Sequence, residues 1–140
     1  QYFALYKKVK VYMEETVAKA KEVGYTQTMM NRKRYMPELN SQNRQLREAA
    51  GRVAINTPVQ GSAADLIKLA MIRLAQQISE KKLKSRMILQ VHDELVFECP
   101  KEEEQEMRTL VKKEMEEVVQ LKVPLVVDMG WGKNWNTAHS

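Results

Sequence analysis

The stretch "LQVHDELVFE", residues 89–98, places three ionisable side chains between two runs of apolar residues. Val and Leu occur in both runs and Phe97 lies in the second, and β-branched and aromatic residues of this kind favour strands. They predict two paired strands, at 86–91 and 95–99, joined by a tight turn. His92, Asp93 and Glu94 are then expected at an exposed hairpin tip, where their side chains leave the plane of the sheet.

The sequence before this hairpin predicts three helices separated by turn signals. Apolar residues at helical spacing predict a helix over 2–22 that ends at Gly24, and a hairpin follows it. Asn40 or Ser41 is placed to cap a second helix, and Pro58 is expected to interrupt that helix before a third begins. The predicted apolar faces of the second and third helices comprise Leu46, Ala49, Ala50 and Val53, then Ile67, Ala70, Met71, Leu74 and Ile78.

The sequence after the hairpin predicts one more helix and one more strand. A helix begins near Pro100 with acidic residues in its first turn, and the apolar run at 125–129 predicts a last strand. The inward face of this helix is predicted to comprise Met107, Leu110, Val111, Met115 and Val118. This order of elements is an α+β pattern, in which an antiparallel sheet is backed by helices on one face.

Length and composition limit the function classes that are compatible with the chain. Its 140 residues are 44% hydrophobic, enough for one sizeable core but not for the several domains of a large enzyme. The single Cys99 forms no internal disulfide, and no apolar run approaches the roughly 20 residues that span a bilayer. The chain opens in a helical pattern, without Met and without a signal peptide. These features predict a cytoplasmic piece of a longer protein, with no membrane association.

The net charge of +5 is concentrated in the first part of the chain. Residues 1–60 hold eleven Lys or Arg against five Glu, whereas residues 61–140 hold twelve basic residues against thirteen acidic ones. A basic half favours a polyanionic partner, although solvated helix faces explain the surplus equally well. The sharpest cluster is Arg32, Lys33 and Arg34 in a predicted turn, where the three cations are candidates for binding phosphate.

Two groups of polar residues indicate chemistry. Asp93 and Glu94 offer carboxylate oxygens to a hard cation such as Mg²⁺, although Asp is also frequent in turns for its own backbone hydrogen bonds. Arg52, Asn56 and Gln60 recur at every fourth residue, which places them on one helix face with about 40° of drift per step. A solvated face is the simpler explanation of this polar stripe. Long donors without an acidic partner at i+4, however, better suit a ligand that is rich in acceptors.

The chain also resembles a known family, the family A DNA polymerases that include the bacterial DNA polymerase I group. Four segments carry the resemblance to the C-terminal part of the polymerase domain: "NRKRYMPELNSQN", "RVAINTPVQGSAADLIKLAM", "LQVHDELVFE" and "VPLVVDMGWGKNW". They cover essentially the whole chain in the family's order, and the "AINTPVQGSAAD" and "VHDE" blocks have the expected separation. One departure is Met30 and Asn31, where the family commonly has Phe-Gly. Because Asn tolerates the left-handed conformation of Gly, the turn is expected to persist.

The resemblance implies a right-hand polymerase, with a partial fingers subdomain at 1–40 and a partial palm subdomain at 41–140. The fingers would contribute the N-terminal helix and hairpin, and the palm an antiparallel sheet backed by helices. The implied reaction adds deoxynucleotides to a primer 3′ end by two-metal phosphoryl transfer, with two Mg²⁺ ions in the complete active site. The implied partners are primer-template DNA and deoxynucleoside triphosphates.

The resemblance also implies roles for individual residues. Asp93 would be one of the two metal-binding catalytic aspartates, and Glu94 a neighbouring catalytic acid of secondary importance. His92 would face the primer terminus. The residues implied to contact the DNA minor groove and the nascent base pair are Arg52, Asn56 and Gln60.

The family's other metal-binding aspartate and its nucleotide-binding helix belong to upstream polymerase segments that this sequence lacks. We therefore expect the 140-residue chain to be inactive alone and to work together with those segments. Two alternatives remain open: a non-catalytic nucleic-acid-binding module on a ferredoxin-like sheet, and a protein-interaction fragment with Met-rich helices. The first usually displays aromatic residues on its sheet, and these are only 6% of this chain.

Overall fold

The computed structural model describes residues 5–139, and it divides into two compact units, one up to Asp65 and one from Leu66 onward. Within the described residues, each unit combines helices with one two-stranded antiparallel sheet. This mixture confirms the predicted α+β class. No helix in the described range is long and apolar enough to cross a membrane.

The first unit begins with helix α1, Lys7–Val23, and continues into a hairpin of strands β1, Tyr25–Gln27, and β2, Lys33–Tyr35. Residues 2–4 of the predicted helix lie outside the described range. Gly24 ends α1 with a φ of 80°, a left-handed conformation that glycine adopts without a Cβ clash. Asn31 in the hairpin turn has a φ of 61°, as expected for a residue in the place of glycine.

Helix α2, Arg44–Asn56, is preceded by one 3₁₀ turn, Pro37–Asn40. Asn43 caps α2, because its side chain accepts two backbone N–H groups from the first helical turn. The prediction of a cap at Asn40 or Ser41 is therefore wrong. Asn40 is the last residue of the 3₁₀ turn, and Ser41 instead accepts the N–H of the true cap.

The core of the first unit consists mostly of short side chains. Alanines in α1 and α2 let the two helices approach each other closely, and Val17 and Val53 pack against the cluster. Leu46 was predicted to face inward but is exposed, because it lies in the first turn of α2, before the buried alanines. The buried members of this core are Ala20, Met36, Leu39, Ala50 and Ala54.

The helical backbone continues past Pro58 instead of ending there. Thr57–Gly61 forms one π-helical turn that leads from α2 into helix α3, Ser62–Glu80. Proline has no N–H to donate to Ala54, and a wider turn is one way in which a helix accommodates that loss. The predicted interruption is thus a widened turn.

The second unit is built on the helix pair α3 and α4 and on one hairpin. Its elements after α3 are strands β3, Arg86–Val91, and β4, Glu94–Glu98, a 3₁₀ turn, Lys101–Glu103, helix α4, Glu104–Glu116, and the short helix α5, Trp135–Ala138. The buried cluster confirms the predicted faces of both helices, and it contains Leu74, Ile78, Met107, Leu110 and Val111.

Residues 125–129, predicted to be a strand, form none. Burial still alternates along this segment, but Val127 donates its N–H to the Glu116 carboxylate at 3.0 Å rather than to a neighbouring strand. A strand needs a partner, and residues 5–139 offer this segment none. In the described residues, the predicted antiparallel sheet of the second unit therefore consists of β3 and β4 without the third strand, and the hairpin predicted after the first helix forms the other two-stranded sheet.

The start of β3 is anchored by Glu103. Its carboxylate accepts the Ser85 hydroxyl at 2.6 Å and the backbone N–H groups of Lys84 and Ser85 at 2.8 and 2.9 Å. The Ser85 hydroxyl, followed by the Lys84 N–H, holds the pKa of Glu103 below its ordinary value of 4.5, against an opposing effect of burial. Because Ser85 is fully buried and directly precedes β3, these bonds fix the position at which β3 begins.

Glu103→Gln is expected to destabilise the protein near neutral pH and to weaken its sensitivity to acid. A carboxyl group with a depressed folded pKa stabilises the fold above its unfolded pKa, and this contribution is lost as the pH falls through the folded value. The difference between wild type and variant should therefore shrink below pH 4.5. Denaturant unfolding at a series of pH values measures it. The exposed neighbour Glu102→Gln should follow the wild type, and parallel curves for wild type and Glu103→Gln would exclude this role.

Candidate functional site

The tip of the second unit's hairpin is a two-residue turn of His92 and Asp93. Val91 pairs with Glu94 across the turn, and His92 has a φ of 52°. Gln90 Nε2 donates to the His92 carbonyl at 2.9 Å, which supports the turn from its own strand. The three ionisable residues, His92, Asp93 and Glu94, are all exposed, as predicted. Glu94 is the first residue of β4, so its carboxylate is carried by the strand and not by the turn.

The strands that carry this tip are anchored in the core. Met87, Leu95 and Phe97 pack against the buried cluster of the second unit. A register shift between Met87 and Leu89 leaves Ile88 without a partner, which is a β-bulge. Because a bulge increases local twist and redirects side chains, it contributes to the direction in which the tip projects.

Glu94 contacts a residue from the far end of the chain. His139 Nε2 lies 3.0 Å from Glu94 Oε1, and the two side chains are 52% and 46% exposed. His139 directly follows α5, whose first turn is fixed by reciprocal hydrogen bonds between Asn134 and Thr137. Its ring meets the Trp135 ring edge-on. Sequence reasoning missed His139, because a contact across 45 positions leaves no local pattern.

A groove of about 1010 Å³ in the second unit reaches this tip. Strand β4, helix α4 and residues 126–139 line it, together with Asp93 and Glu94. The Arg108 guanidinium lies 5.5 Å from the centre of the Trp131 ring on the same lining. A ligand that enters the groove beside the tip therefore meets two carboxylates.

The tip offers part of a metal site. Asp93 and Glu94 present exposed carboxylates, and Mg²⁺ is usually bound by one or two carboxylates plus substrate phosphates. Glu94 also contacts His139, whereas Asp93 forms no ion pair with any residue from 5 to 139. In that range no three His, Cys, Asp or Glu side chains converge on a metal site. The residues present thus fit one side of a divalent-cation site. Asp93 is the better candidate ligand, because its carboxylate is not engaged in an ion pair within the described residues.

The predicted polar stripe lies on an exposed helical surface of the first unit. Arg52, Asn56 and Gln60 are all exposed. The π turn between Asn56 and Gln60 is wider than a regular turn, so each residue advances by less than the usual rotation of about 100°. The drift of about 40° per four residues is reduced there. A wider turn is therefore expected to reduce the angular offset between Gln60 and Asn56.

A cleft of about 330 Å³ lies between the hairpin of the first unit and this stripe. Arg32, Lys33 and Arg34 line one side, and Asn56 and Gln60 line the other. From the sequence, the cations and the amides formed two separate groups. In the structure, Asn56 and Gln60 lie across one cleft from the three cations. Arg52 does not line the cleft. Cations facing neutral amides suit a nucleic-acid backbone, whose phosphates attract the first and whose sugars and base edges accept bonds from the second.

The three hairpin cations differ in what they contact. Arg32 Nε donates to Asp65 Oδ1 at 2.8 Å. Lys33 Nζ lies 4.4 Å from the centre of the Tyr25 ring, a cation–π contact, and the residue is exposed. Arg34 is exposed as well. Because a carboxylate engages the Arg32 guanidinium, Lys33 and Arg34 are the better candidates for binding a phosphate.

Comparisons with known proteins agree with these features. The model of DNA polymerase family A matches residues 1–137. A DNA polymerase I from Caldicellulosiruptor bescii is 53% identical over 135 residues, which are 96% of this chain and 16% of that protein. A DNA polymerase I from Bacillus subtilis is 51% identical over 138 residues, which are 99% of this chain and 16% of that protein.

A solved structure agrees over the same length. The polymerase domain of Pol1 from M. smegmatis, in complex with DNA primer-template and dNTP, superposes with a TM-score of 0.98 at 48% identity. The match covers 100% of this chain and 25% of that chain. The chain belongs to DNA polymerase family A, as the resemblance implied. It spans about a sixth of the length of the two curated relatives.

Proposed function

We propose that this chain is part of a template-directed DNA polymerase, which adds deoxynucleotides to a primer 3′ end by phosphoryl transfer. The observation that carries the proposal is the exposed pair Asp93 and Glu94 on a supported hairpin tip, in a chain of DNA polymerase family A. The solved M. smegmatis relative is described with primer-template DNA and dNTP, which supports the same two partners here.

Asp93 is the proposed metal-binding catalytic residue, and Glu94 has a secondary role. When bound, two Mg²⁺ ions supply charge stabilisation to the attacking and leaving oxygens. Asp93 contributes a fixed negative charge on a turn that Gln90 supports, and His139 orients the Glu94 carboxylate. The rest of the metal site and the nucleotide-binding helix are assigned to upstream polymerase segments, so the 140 residues alone are proposed to be inactive.

The first unit's polar residues are proposed to hold primer-template DNA. The donors of the stripe suit the acceptors of a minor groove, and Lys33 and Arg34, which line the cleft beside it, are proposed to bind a backbone phosphate. His92, exposed at the hairpin tip, is proposed to face the primer terminus. The proposed groove-contacting residues are Arg52, Asn56 and Gln60.

The subdomain assignment belongs to the same proposal. Residues 1–40, with α1 and the basic hairpin, are assigned to the fingers, and residues 41–140 to the palm. The reaction is placed in the cytoplasm, where a lone reduced cysteine is the norm.

Metal-dependent nucleotide incorporation by the full-length protein tests the proposal. We expect extension of a primer that follows the template, requires Mg²⁺ and stops when the metal is chelated. Binding of primer-template without incorporation would favour the non-catalytic nucleic-acid-binding module instead. Extension that continues after chelation would remove the metal-binding role of Asp93.

A further inference from the structure

The hairpin of the first unit is attached to the π turn at several points. The Thr26 hydroxyl donates to the Ala54 carbonyl at 3.3 Å, the group that Pro58 leaves without its helical donor. On the other side of the turn, the Met29 N–H donates to the Ser62 hydroxyl at 2.9 Å. The hairpin therefore satisfies polar groups both before and after the widened turn.

Gly61 permits this close approach. A Cβ at this position would lie 2.7 Å from the Thr28 methyl carbon, closer than real Cβ atoms come to their neighbours. Thr28 is buried, and its hydroxyl accepts the N–H of Arg32. The hairpin turn therefore packs directly against the backbone of Gly61, the residue that follows Gln60.

Arg32 joins the two sides of this contact. Its Nε donates to Asp65 Oδ1 at 2.8 Å, and its Nη2 donates to the Gly61 carbonyl at 3.2 Å. The Asp65 side chain is only 10% exposed, whereas that of Arg32 is 54% exposed. A nearly buried carboxylate needs a partner to offset its desolvation, so this ion pair belongs to the architecture of the turn.

We infer that Arg32 is a positioning residue, which acts through Asp65 and the Gly61 carbonyl to hold the hairpin on the π turn and so to orient Gln60. The inference rests on the proposed function, because Gln60 is there assigned to the DNA. The inference gives Arg32 a different role from the one predicted in the sequence analysis, where Arg32, Lys33 and Arg34 were all candidate phosphate ligands.

The geometry distinguishes positioning from direct phosphate binding. Two of the three guanidinium nitrogens of Arg32 already donate within the protein. A bidentate phosphate contact would compete with these bonds. Lys33 and Arg34 are exposed residues on the same cleft and make no ion pair with any residue in the described part of the chain.

The test compares Arg32→Ala, Asp65→Asn and the double variant in the full-length polymerase that contains this chain. Each single variant should slow single-turnover extension of a matched primer by about threefold, and the double variant should be no slower than Arg32→Ala, because both changes remove the same ion pair between Arg32 and Asp65. Arg32→Lys should restore part of the rate, since lysine pairs with Asp65 but lacks the fork that also reaches Gly61.

The salt dependence of primer-template binding provides a second readout. A phosphate contact contributes about one unit to the slope of log affinity against log salt concentration. Arg32→Ala should keep the wild-type slope, whereas Lys33→Ala should lower it. The exposed pair Arg44 and Glu48 is a matched control, and Arg44→Ala and Glu48→Gln should change neither rate nor slope.

Three outcomes would overturn the inference. In the first, Arg32→Ala lowers the salt slope while Asp65→Asn keeps the wild-type rate, as expected of a phosphate ligand. In the second, the losses of the single variants add. In the third, only the burst amplitude falls while its rate is kept, which indicates fewer folded molecules. Absence of metal-dependent incorporation in the wild type would instead remove the proposed function, and the inference with it.

Discussion

Asp93→Asn in the proposed full-length polymerase is expected to reduce turnover by several orders of magnitude. Asparagine keeps the shape of the side chain at the hairpin tip but lacks the negative charge that holds a divalent cation. The turn is supported by Gln90 and by the pairing of Val91 with Glu94, so the fold should persist. Primer-template affinity should change little. Single-turnover incorporation and a parallel measurement of the DNA Kd check both expectations.

Two comparisons define the result for Asp93. Glu94→Gln should be much milder, because the role proposed for Glu94 is secondary and glutamine retains a hydrogen-bond partner for His139. The purified 140-residue chain should not extend a primer, because one metal-binding aspartate does not complete a two-metal site. Comparable incorporation by Asp93→Asn and the wild type would take Asp93 out of the catalytic role.

The parts of the fold that could be predicted depend on short sequence periods. The buried face of α3 follows the 3.6-residue period, and Leu74 and Ile78 lie where that period places them. The hairpin around His92 could be predicted because two β-favouring runs are separated by only the few residues that a tight turn needs. The strand expected at 125–129 fails because its formation depends on a partner that no local pattern encodes.

Competition between neighbouring signals explains the smaller errors of the fold prediction. Three polar residues near the start of α2 are able to cap a helix. The choice of Asn43 depends on how far the 3₁₀ turn Pro37–Asn40 extends. Likewise, the break expected at Pro58 is avoided because the turn widens and Thr26, on the hairpin, donates to Ala54.

The site shows the same division between local and distant information. The hairpin tip and the polar stripe were accessible to sequence reasoning because each is a short pattern. The contact of Arg32 with Asp65 spans 33 positions, and that of Glu94 with His139 spans 45. Such pairs are set by packing. Consequently the sequence identified candidate ligands of the site but not the distant residues that contact them or their supporting turn.

The polar stripe leads to the second large expected effect, on discrimination between matched and mismatched primers. Every Watson–Crick pair presents acceptors in the minor groove, purine N3 and pyrimidine O2, so donors from Arg52 and Gln60 can hold any correct primer end. A mismatch displaces these acceptors. Gln60→Ala and Arg52→Ala should therefore slow extension of a matched primer by roughly five- to tenfold or more, and that of a mismatched primer by less.

A primer whose terminal purine lacks N3 separates this mechanism from a packing effect. With the wild type, the modified primer should reproduce the slow extension of one of the two variants, because it removes the acceptor instead of the donor. In the variant that has already lost the partner of that acceptor, the modified primer should add little further loss. Single-turnover extension of matched, mismatched and modified primers measures the full set. Equal slowing of matched and mismatched primers, or additive effects of the modified primer with both variants, would assign Arg52 and Gln60 to a solvated or packing surface.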